Sequence, residues 1–321
     1  WNYDNQVVNK VGYQLEHFER IIDILLENEV ASITITGGEP FLEEDILFGL
    51  VSKIKAKGGV ARINTNGSIM TEAHIKLLAK SNIDSVLLSF PSIDEKNYEA
   101  VTNAANSFHS SIETIKNLVD KNINVQINIV CTNKNIGYLK ATSDYLKGLG
   151  VKYIFATPVL PCPNANEHSD LVLSTEEIRD MLDVLLYIKG FGIKVDVLEP
   201  LVHCMFSEEE REKYRDFLLN RGCSAGISDI AISPNGDIRA CILSENIEGN
   251  VLEEEWDGLW EKVAYWSSKD MLPEECIACS LVTDCGGGCR VAAKSVTGSF
   301  SGNDPYMTQA VKEKPDNINE D

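Results

Sequence analysis

The chain has 321 residues, of which 44% are hydrophobic and 24% are charged, and its 49 acidic and 29 basic side chains give a formal net charge of −20. These proportions exclude a disordered or fibrous protein. The acidic excess repels phosphate backbones and anionic lipids, so we expect neither a nucleic acid nor a membrane as a partner. Because the sequence has no long apolar run and no secretion signal near Trp1, we expect a cytoplasmic protein.

Short β-branched runs alternate with amphipathic runs in the first half of the chain. Five runs have the length and β-propensity of strands, and they cover residues 31–36, 60–64, 85–89, 125–130 and 151–156. Five runs with helical periodicity cover residues 15–26, 44–56, 71–79, 110–119 and 137–149. Strands that recur at about 25 to 40 residues fit parallel βα units. We therefore predict an α/β fold in which residues 1–160 form a partial (β/α)6 TIM-type barrel.

Three prolines between residues 158 and 163 end this alternation, because proline fits neither a strand interior nor a helix interior. We predict a bridging region over residues 161–222. From Cys223 onward the chain is rich in turns and cysteines, which indicates a small separate domain over residues 223–310. The polar residues 311–321 are expected to form a disordered tail.

Six of the nine cysteines lie between Cys223 and Cys289. The last four follow the spacing Cys-x2-Cys-x5-Cys-x3-Cys, and they are Cys276, Cys279, Cys285 and Cys289. Three consecutive glycines before Cys289 allow the backbone to turn tightly, so short loops can bring these thiols to one or two metals. Cys223 and Cys241 flank a predicted hairpin with a Pro-Asn-Gly turn, which would bring this pair together as well.

The cysteine spacing has two structural explanations besides a metal cluster. A set of disulfides is disfavoured by a reducing cytoplasm. A structural zinc ribbon is the stronger alternative, because tetrahedral zinc accepts Cys-x2-Cys pairs as iron–sulfur clusters do.

A second group of polar residues stands at predicted strand ends. The segment Thr36–Pro40, with the sequence Thr-Gly-Gly-Glu-Pro, follows a strand and precedes a helix. In parallel barrels ligands bind at this rim, where the glycines allow close backbone approach and Glu39 can accept from a cationic amine. A simple turn is the commoner meaning of such a motif. Asn64–Gly67 and Ser89 end neighbouring strands, and together the three segments predict a polar ligand site.

Together, the Gly-Gly-Glu-Pro motif, the Asn64–Gly67 strand end and the cysteine pattern resemble those of radical S-adenosylmethionine enzymes with a SPASM-type auxiliary-cluster domain. The resemblance extends from Leu15 to Met307. It implies that the motif holds the amino group of S-adenosylmethionine, with further contacts to its carboxylate and ribose. The implied cofactor-binding residues are Gly37, Gly38, Glu39, Pro40, Asn64, Asn66 and Ser89.

The same resemblance implies two auxiliary 4Fe-4S clusters. The implied ligands are Cys223, Cys241 and Cys289 for the first cluster, and Cys276, Cys279 and Cys285 for the second. No cysteine follows Cys289, so Asp304 becomes the candidate fourth ligand of the second cluster, with Met307 as a poorer one. Cys204 is a candidate for completing the first cluster, although an ordinary buried thiol fits it equally well.

The resemblance further implies a radical-generating 4Fe-4S cluster held by a Cys-x3-Cys-x2-Cys loop. This loop does not occur in the printed sequence, and we expect its ligands to precede Trp1. The alternative is an inactive relative that binds peptides through a domain stabilised by clusters.

The implied activity is that of an oxidoreductase-like enzyme that forms a 5′-deoxyadenosyl radical and modifies a substrate. A ribosomally made peptide is the expected substrate, and acidic stretches such as residues 208–212 offer a surface for a basic leader segment. An electron donor such as flavodoxin or ferredoxin is the other expected partner. Maturation of a tetrapyrrole or quinone-type cofactor is the alternative, because the stretch Cys285–Arg290 also resembles such enzymes.

Overall fold

The first part of the structure is built on one sheet. The computed structural model describes residues 14–162, 170–219 and 222–307. Six strands pair in chain order, and they are β1 (Ser32–Ile35), β2 (Val60–Thr65), β3 (Ser85–Ser89), β4 (Val125–Cys131), β5 (Tyr153–Pro158) and β6 (Lys194–Asp196). The strands are parallel, which confirms the predicted α/β class.

Helices precede and connect these strands. They are α1 (Leu15–Glu27), α2 (Glu44–Ala56), α3 (Glu72–Lys80), α4 (Glu95–Thr102), α5 (Phe108–Asp120), α6 (Leu139–Gly148) and α7 (Thr175–Lys189). The five helices predicted in this region all form. The short helix α4 is an addition, because its mostly polar sequence has no apolar period. It is instead started by Asp94, whose side chain accepts from the backbone N–H of Asn97 at 2.8 Å.

The two faces of the sheet differ in burial. On one face Ala61, Ile63, Val86, Leu88 and Ile127 are 0% exposed, and they form the apolar core under the helices. Strand side chains alternate between faces, so the intervening positions lie on the opposite, less buried face. The polar strand-end residues lie on that face.

The described chain separates into two compact units. The first contains the residues up to Thr157 together with Tyr187–Asp196, and the second contains Pro158–Leu186 and the residues from Val197 onward. The predicted boundaries at residues 160, 222 and 310 stay predictions of domain extent. Among the described residues, no helix has both the length and the apolar character that a membrane crossing requires.

The second unit consists of short elements. Its strands are β7 (Ala231–Ile232), β8 (Asp237–Arg239) and β9 (Gly249–Asn250), and they form an antiparallel sheet. Its helices after α7 are α8 (Glu208–Lys213), α9 (Arg215–Leu218), α10 (Trp256–Ala264), α11 (Glu274–Ile277), α12 (Val282–Cys285) and α13 (Arg290–Thr297). Strands β7 and β8 form the predicted hairpin between Cys223 and Cys241.

The helical segment that follows Ser207 is divided at Tyr214 into α8 and α9. This residue is 2% exposed, and its hydroxyl donates to Asp183 Oδ1 at 2.9 Å. Burial of the ring and this hydrogen bond hold Tyr214 outside helical geometry, at φ −99° and ψ 15°. The sequence period alone does not reveal this break.

We expect Leu88→Ala to destabilise the sheet, because Leu88 is fully buried in β3. Removal of its buried methyl groups should lower the free energy of unfolding by about 2 to 5 kcal/mol. Leu42→Ala is the matched control, since Leu42 is 70% exposed. Urea unfolding of the two variants and the parent checks this. Equal midpoints for both variants would contradict the described core.

Candidate functional site

The segment Gly37–Pro40 is tied to the end of the neighbouring strand through Glu39. Thr65 Oγ1 donates to Glu39 Oε1 at 2.7 Å, and the backbone N–H of Asn66 donates to Glu39 Oε2 at 2.9 Å. The backbone N–H of Phe41 also donates to Oε1, at 3.2 Å, and this bond caps the short helix Pro40–Leu42. Glu39 therefore fixes the ends of β1 and β2 against each other.

The glycines of this segment leave open space. Gly37 has a φ of +148°, in a region that residues with a side chain rarely adopt. A methyl group placed on Gly37 or Gly38 would meet no heavy atom within 4 Å. No side chain therefore covers the backbone of Gly37 and Gly38 on the side where a Cβ would lie. This leaves room for a ligand to approach the backbone.

The remaining strand-end residues share the less buried face of the sheet. Asn64 pairs in register with Leu87 and Ser89 pairs with Asn128, which places all four on the same face. Asn64 and Ser89 are half-buried and lie on this face without direct contact to Glu39. We call Gly37–Pro40, Asn64–Gly67 and Ser89 the strand-end site.

Two residues of the strand-end region were not predicted. Thr157 Oγ1 donates to Asn128 Oδ1 at 2.7 Å, so both polar side chains stand on the face that holds Ser89. Thr157 lies near the carboxyl end of β5, but Asn128 lies in the middle of β4, so only the strand register shows that they share a face with Ser89. By contrast, Asn66 Oδ1 is already bonded to the backbone N–H and the hydroxyl of Ser68, so this side chain shapes its own loop.

In the second unit, one group of thiols consists of Cys223, Cys241 and Cys289. Burial raises the pKa of all three thiols. The charge of Cys223 further raises the pKa of Cys289 and that of Cys241, which reaches about 11. Glu199 acts in the same direction on each of them. We call these three residues the first thiol group, and their role as ligands of one cluster stays a prediction.

A second thiol group consists of Cys276, Cys279 and Cys285. Burial raises the pKa of Cys276 to about 11, and Cys285 and Cys279 raise it further. Burial also raises the pKa of Cys285, followed by the charges of Asp304 and Cys279. We call these three residues the second thiol group, and the ligand set that the family resemblance implies for them stays a prediction.

Cys204 lies beside the second thiol group rather than the first. Burial raises its pKa, and the largest charge effects come from Cys285 and Cys279. The backbone N–H of the preceding residue, His203, donates to Cys285 Sγ at 3.3 Å, which fixes this proximity. The sequence analysis named Cys204 as a candidate for the first cluster. Separation along the chain gives no information about which loop Cys204 contacts in the folded unit.

Glu199 is a site residue that sequence reasoning missed. Its side chain is half-buried, and burial followed by the charge of Asp304 raises its pKa to about 7. No motif marks this residue, since its neighbours in the site come from distant parts of the chain. Its position beside the first thiol group becomes visible only in the folded unit.

Asp304 is 1% exposed and supports the loop that carries Cys289. Its Oδ2 accepts the backbone N–H of Cys289 at 2.8 Å, and its Oδ1 accepts that of Tyr306 at 2.9 Å. Burial raises the pKa of Asp304 to about 6, against these hydrogen bonds and against Arg290. Both carboxylate oxygens therefore already have backbone partners.

The donor set suits iron–sulfur clusters. Within the described ranges, no three histidine, cysteine, aspartate or glutamate side chains are arranged so that they could hold a metal ion. Soft thiolates are the ligands of such clusters, and N–H···S bonds stabilise them. Leu243 donates a backbone N–H to Cys241 Sγ at 3.4 Å, and Leu281 donates to Cys279 Sγ at 3.4 Å. Among the described residues, the buried indole N–H of Trp266 has no partner at hydrogen-bonding distance. The same indole lowers the pKa of the Cys223 thiol.

The remaining cysteines in the described ranges differ from these groups. Cys131 is 0% exposed in β4, and burial raises its pKa to about 12. It is an ordinary core residue. Cys162 is half-buried near the prolines that end the sheet.

Comparison with known proteins identifies the class. Residues 5–146 match the model of the Radical SAM superfamily. This part of the chain is similar to radical S-adenosylmethionine enzymes, and the superfamily implies S-adenosylmethionine and a 4Fe-4S cluster as cofactors. The resemblance inferred from the motifs is thereby confirmed.

Similarity to individual proteins extends beyond this domain. An AdoMet-dependent heme synthase of Oleidesulfovibrio alaskensis is 23% identical over 92% of this chain and 79% of its own length. A PqqA peptide cyclase of Granulibacter bethesdensis is 24% identical over 93% of this chain and 80% of its own. The structure of native anSMEcpe with bound AdoMet superposes with a TM-score of 0.70, 18% identity, and coverage of 94% and 86%. The fold is thus shared over both units.

We expect Glu39→Ala to weaken binding of S-adenosylmethionine, because the carboxylate both holds the strand ends and is placed to accept from the amino group. Loss of a hydrogen bond to a charged group costs about 1.5 to 3 kcal/mol, or roughly 10- to 150-fold in affinity. Calorimetric titration of the anaerobic protein measures this. Glu43→Ala is the control, since Glu43 is exposed and caps no helix with its side chain. Unchanged affinity in the Glu39 variant would make it a turn residue only.

Proposed function

We propose that this enzyme modifies a ribosomally made peptide. The observation that carries the proposal is the second unit, in which two buried thiol groups accompany a radical S-adenosylmethionine domain. Similarity to a peptide cyclase over 93% of the chain supports the same substrate class. A reducing protein such as flavodoxin or ferredoxin is the proposed electron donor.

When bound, S-adenosylmethionine and a reduced 4Fe-4S cluster would supply the radical chemistry that removes a hydrogen atom from the substrate. The strand-end site would orient the methionine moiety, with Glu39 accepting from its ammonium group and Asn64 and Ser89 contacting its polar atoms. In the second unit the two thiol groups would hold the auxiliary clusters, which would anchor the substrate or accept an electron. Such positioning matters because holding the reacting groups in the right geometry directs the reaction to one carbon.

Tetrapyrrole maturation is the second candidate, and the heme synthase relative favours it. The net charge of the chain favours a peptide substrate over a tetrapyrrole. A chain with a net charge of −20 repels a tetrapyrrole that carries carboxylate side chains and attracts a basic peptide. The exposed glutamates Glu208, Glu209 and Glu212 form one such acidic surface on the second unit.

The two candidate functions differ in which substrate is modified as 5′-deoxyadenosine is released. The anaerobic protein would be incubated with S-adenosylmethionine and a chemical reductant, together with either synthetic peptides from short reading frames beside its gene or an iron tetrapyrrole with carboxylate side chains. We expect a peptide to lose hydrogen in step with 5′-deoxyadenosine release, as measured by mass spectrometry. Turnover of the tetrapyrrole alone would contradict the proposal.

We expect iron and sulfide, not zinc, in the second unit. Cys279→Ala should reduce the iron content by up to about four atoms per chain, because a thiolate ligand is lost from a 4Fe-4S cluster. Cys131→Ala is the matched control and should retain all iron, since Cys131 lies in the sheet core. Elemental analysis and the visible spectrum provide the measurement. A colourless zinc protein would contradict the cluster assignment.

A further inference from the structure

His74 is a buried histidine that the proposed function does not use. It lies in the first turn of α3 and is 9% exposed. The backbone N–H of Thr71 donates to its Nδ1 at 3.1 Å, and its own backbone N–H donates to Thr71 Oγ1 at 3.2 Å. Together these bonds form a capping box, which satisfies two N–H groups at the start of the helix.

The first of these bonds fixes which nitrogen of the imidazole carries the proton. A backbone N–H can only donate, so Nδ1 accepts and has no proton of its own. The ring proton is therefore on Nε2, which donates to Glu44 Oε2 at 3.1 Å. Glu44 is the first residue of α2. His74 consequently ties the start of α3, which follows β2, to the start of α2, which follows β1.

The imidazole ring also packs against Phe41, in the short helix Pro40–Leu42. The two ring centroids are 5.2 Å apart with 36° between the planes, and Phe41 is 4% exposed. On α2, the ring of Phe48 meets Phe41 edge-on, with the centroids 6.4 Å apart. Aromatic pairs at these separations attract each other. The Phe41 side chain is thus fixed by contacts with two rings.

Phe41 in turn helps to hold the carboxylate of Glu39. Its backbone N–H donates to Oε1 at 3.2 Å, and Thr65 Oγ1 donates to the same oxygen. In the described part of the chain, Oε2 accepts only the backbone N–H of Asn66. A carboxylate has about four lone-pair sites, two on each oxygen, so one site on Oε2 stays open. This acceptor position is available to the ammonium group of a ligand.

We propose that His74 is a positioning residue for the strand-end site, and that its ring orients the Glu39 carboxylate through Phe41. The proposal rests on one part of the proposed function, the binding of the S-adenosylmethionine ammonium group by Glu39. A glutamine at position 74 would complete the same capping box, since Glu and Gln are the usual residues there. Glutamine, however, has no ring to place against Phe41. The imidazole therefore supplies a contact that capping alone does not require.

Two substitutions of His74 separate the ring contact from the helix cap. His74→Gln keeps an acceptor for the Thr71 N–H and removes the ring, whereas His74→Phe keeps a ring against Phe41 and removes the acceptor. His109→Gln is the matched control, because the His109 ring also pairs with a glutamate, Glu95, at 3.3 Å and its side chain is 78% exposed. Calorimetric titration of each anaerobic variant with S-adenosylmethionine gives the affinity, and urea unfolding gives the stability.

We expect His74→Gln to weaken S-adenosylmethionine binding by roughly 2- to 10-fold, which corresponds to the loss of one aromatic contact. His74→Phe should bind with an affinity close to that of the parent, although it lacks the cap. Retention of binding by the ring alone is a result that a purely structural role of the cap would not produce. His109→Gln should leave the affinity unchanged, because its ring has no contact with the strand-end site.

Each contrary result has a distinct meaning. Weak binding by His74→Phe with unchanged binding by His74→Gln would overturn the proposal, and so would equal affinities in both variants and the parent. Affinities that fall in step with the urea midpoints would make His74 a structural residue only. If Glu39→Ala binds as the parent does, the ammonium group is held elsewhere and this inference fails with that site. Unchanged peptides after incubation with the active enzyme would count against the proposed substrate alone.

Discussion

The second unit depends on the burial of many acidic groups beside a single buried cation. Burial raises the pKa of every thiol in the first thiol group, and of Glu199 and Asp304 as well. A low-dielectric interior disfavours their charged forms, and neighbouring negative charges add to this cost. Such an interior is stable either with its acids protonated or with a compact positive charge among them. The iron ions of the proposed clusters would supply that charge by binding to the deprotonated thiols.

Arg290 is the one cation that the described part of this unit buries among these groups. It is 3% exposed and donates to the carbonyl oxygens of Met271, Phe300 and Gly302, at 3.0 to 3.3 Å, and to that of Gly287. Its charge lowers the pKa of Cys223, Cys276 and Asp304. The guanidinium group thus ties the loops together and offsets charge in both thiol groups. A fixed cation near a cluster also raises its reduction potential.

Local patterns in the sequence were sufficient for the sheet and for the cysteine hairpin. Strand length, β-branched composition and helical periodicity located β1 to β5, because each of these signals lies within one element. The Pro-Asn-Gly turn likewise located β7 and β8. The break at Tyr214 and the helix α4 were not found, since one depends on a contact with Asp183 and the other on a cap rather than on an apolar period.

The site residues also differ in whether the sequence could locate them. The thiol triads were implied by the family resemblance, whereas Glu199 carries no motif. Cys204 was named for the first cluster, and the structure places it next to the residue that donates to Cys285. The neighbours of Cys204 depend on how Val202 and His203 meet the glycine loop, which is a contact between segments more than eighty residues apart. Asn128 and Thr157 were missed for a similar reason, because only the strand register shows that they share a face with Ser89.

The most direct measurement of the account is the location of iron in crystals grown without oxygen, from diffraction on both sides of the iron absorption edge. The account predicts two separate anomalous peaks in the second unit. One should lie among Cys223, Cys241 and Cys289, and the other among Cys276, Cys279 and Cys285. A single peak or an edge characteristic of zinc would contradict it.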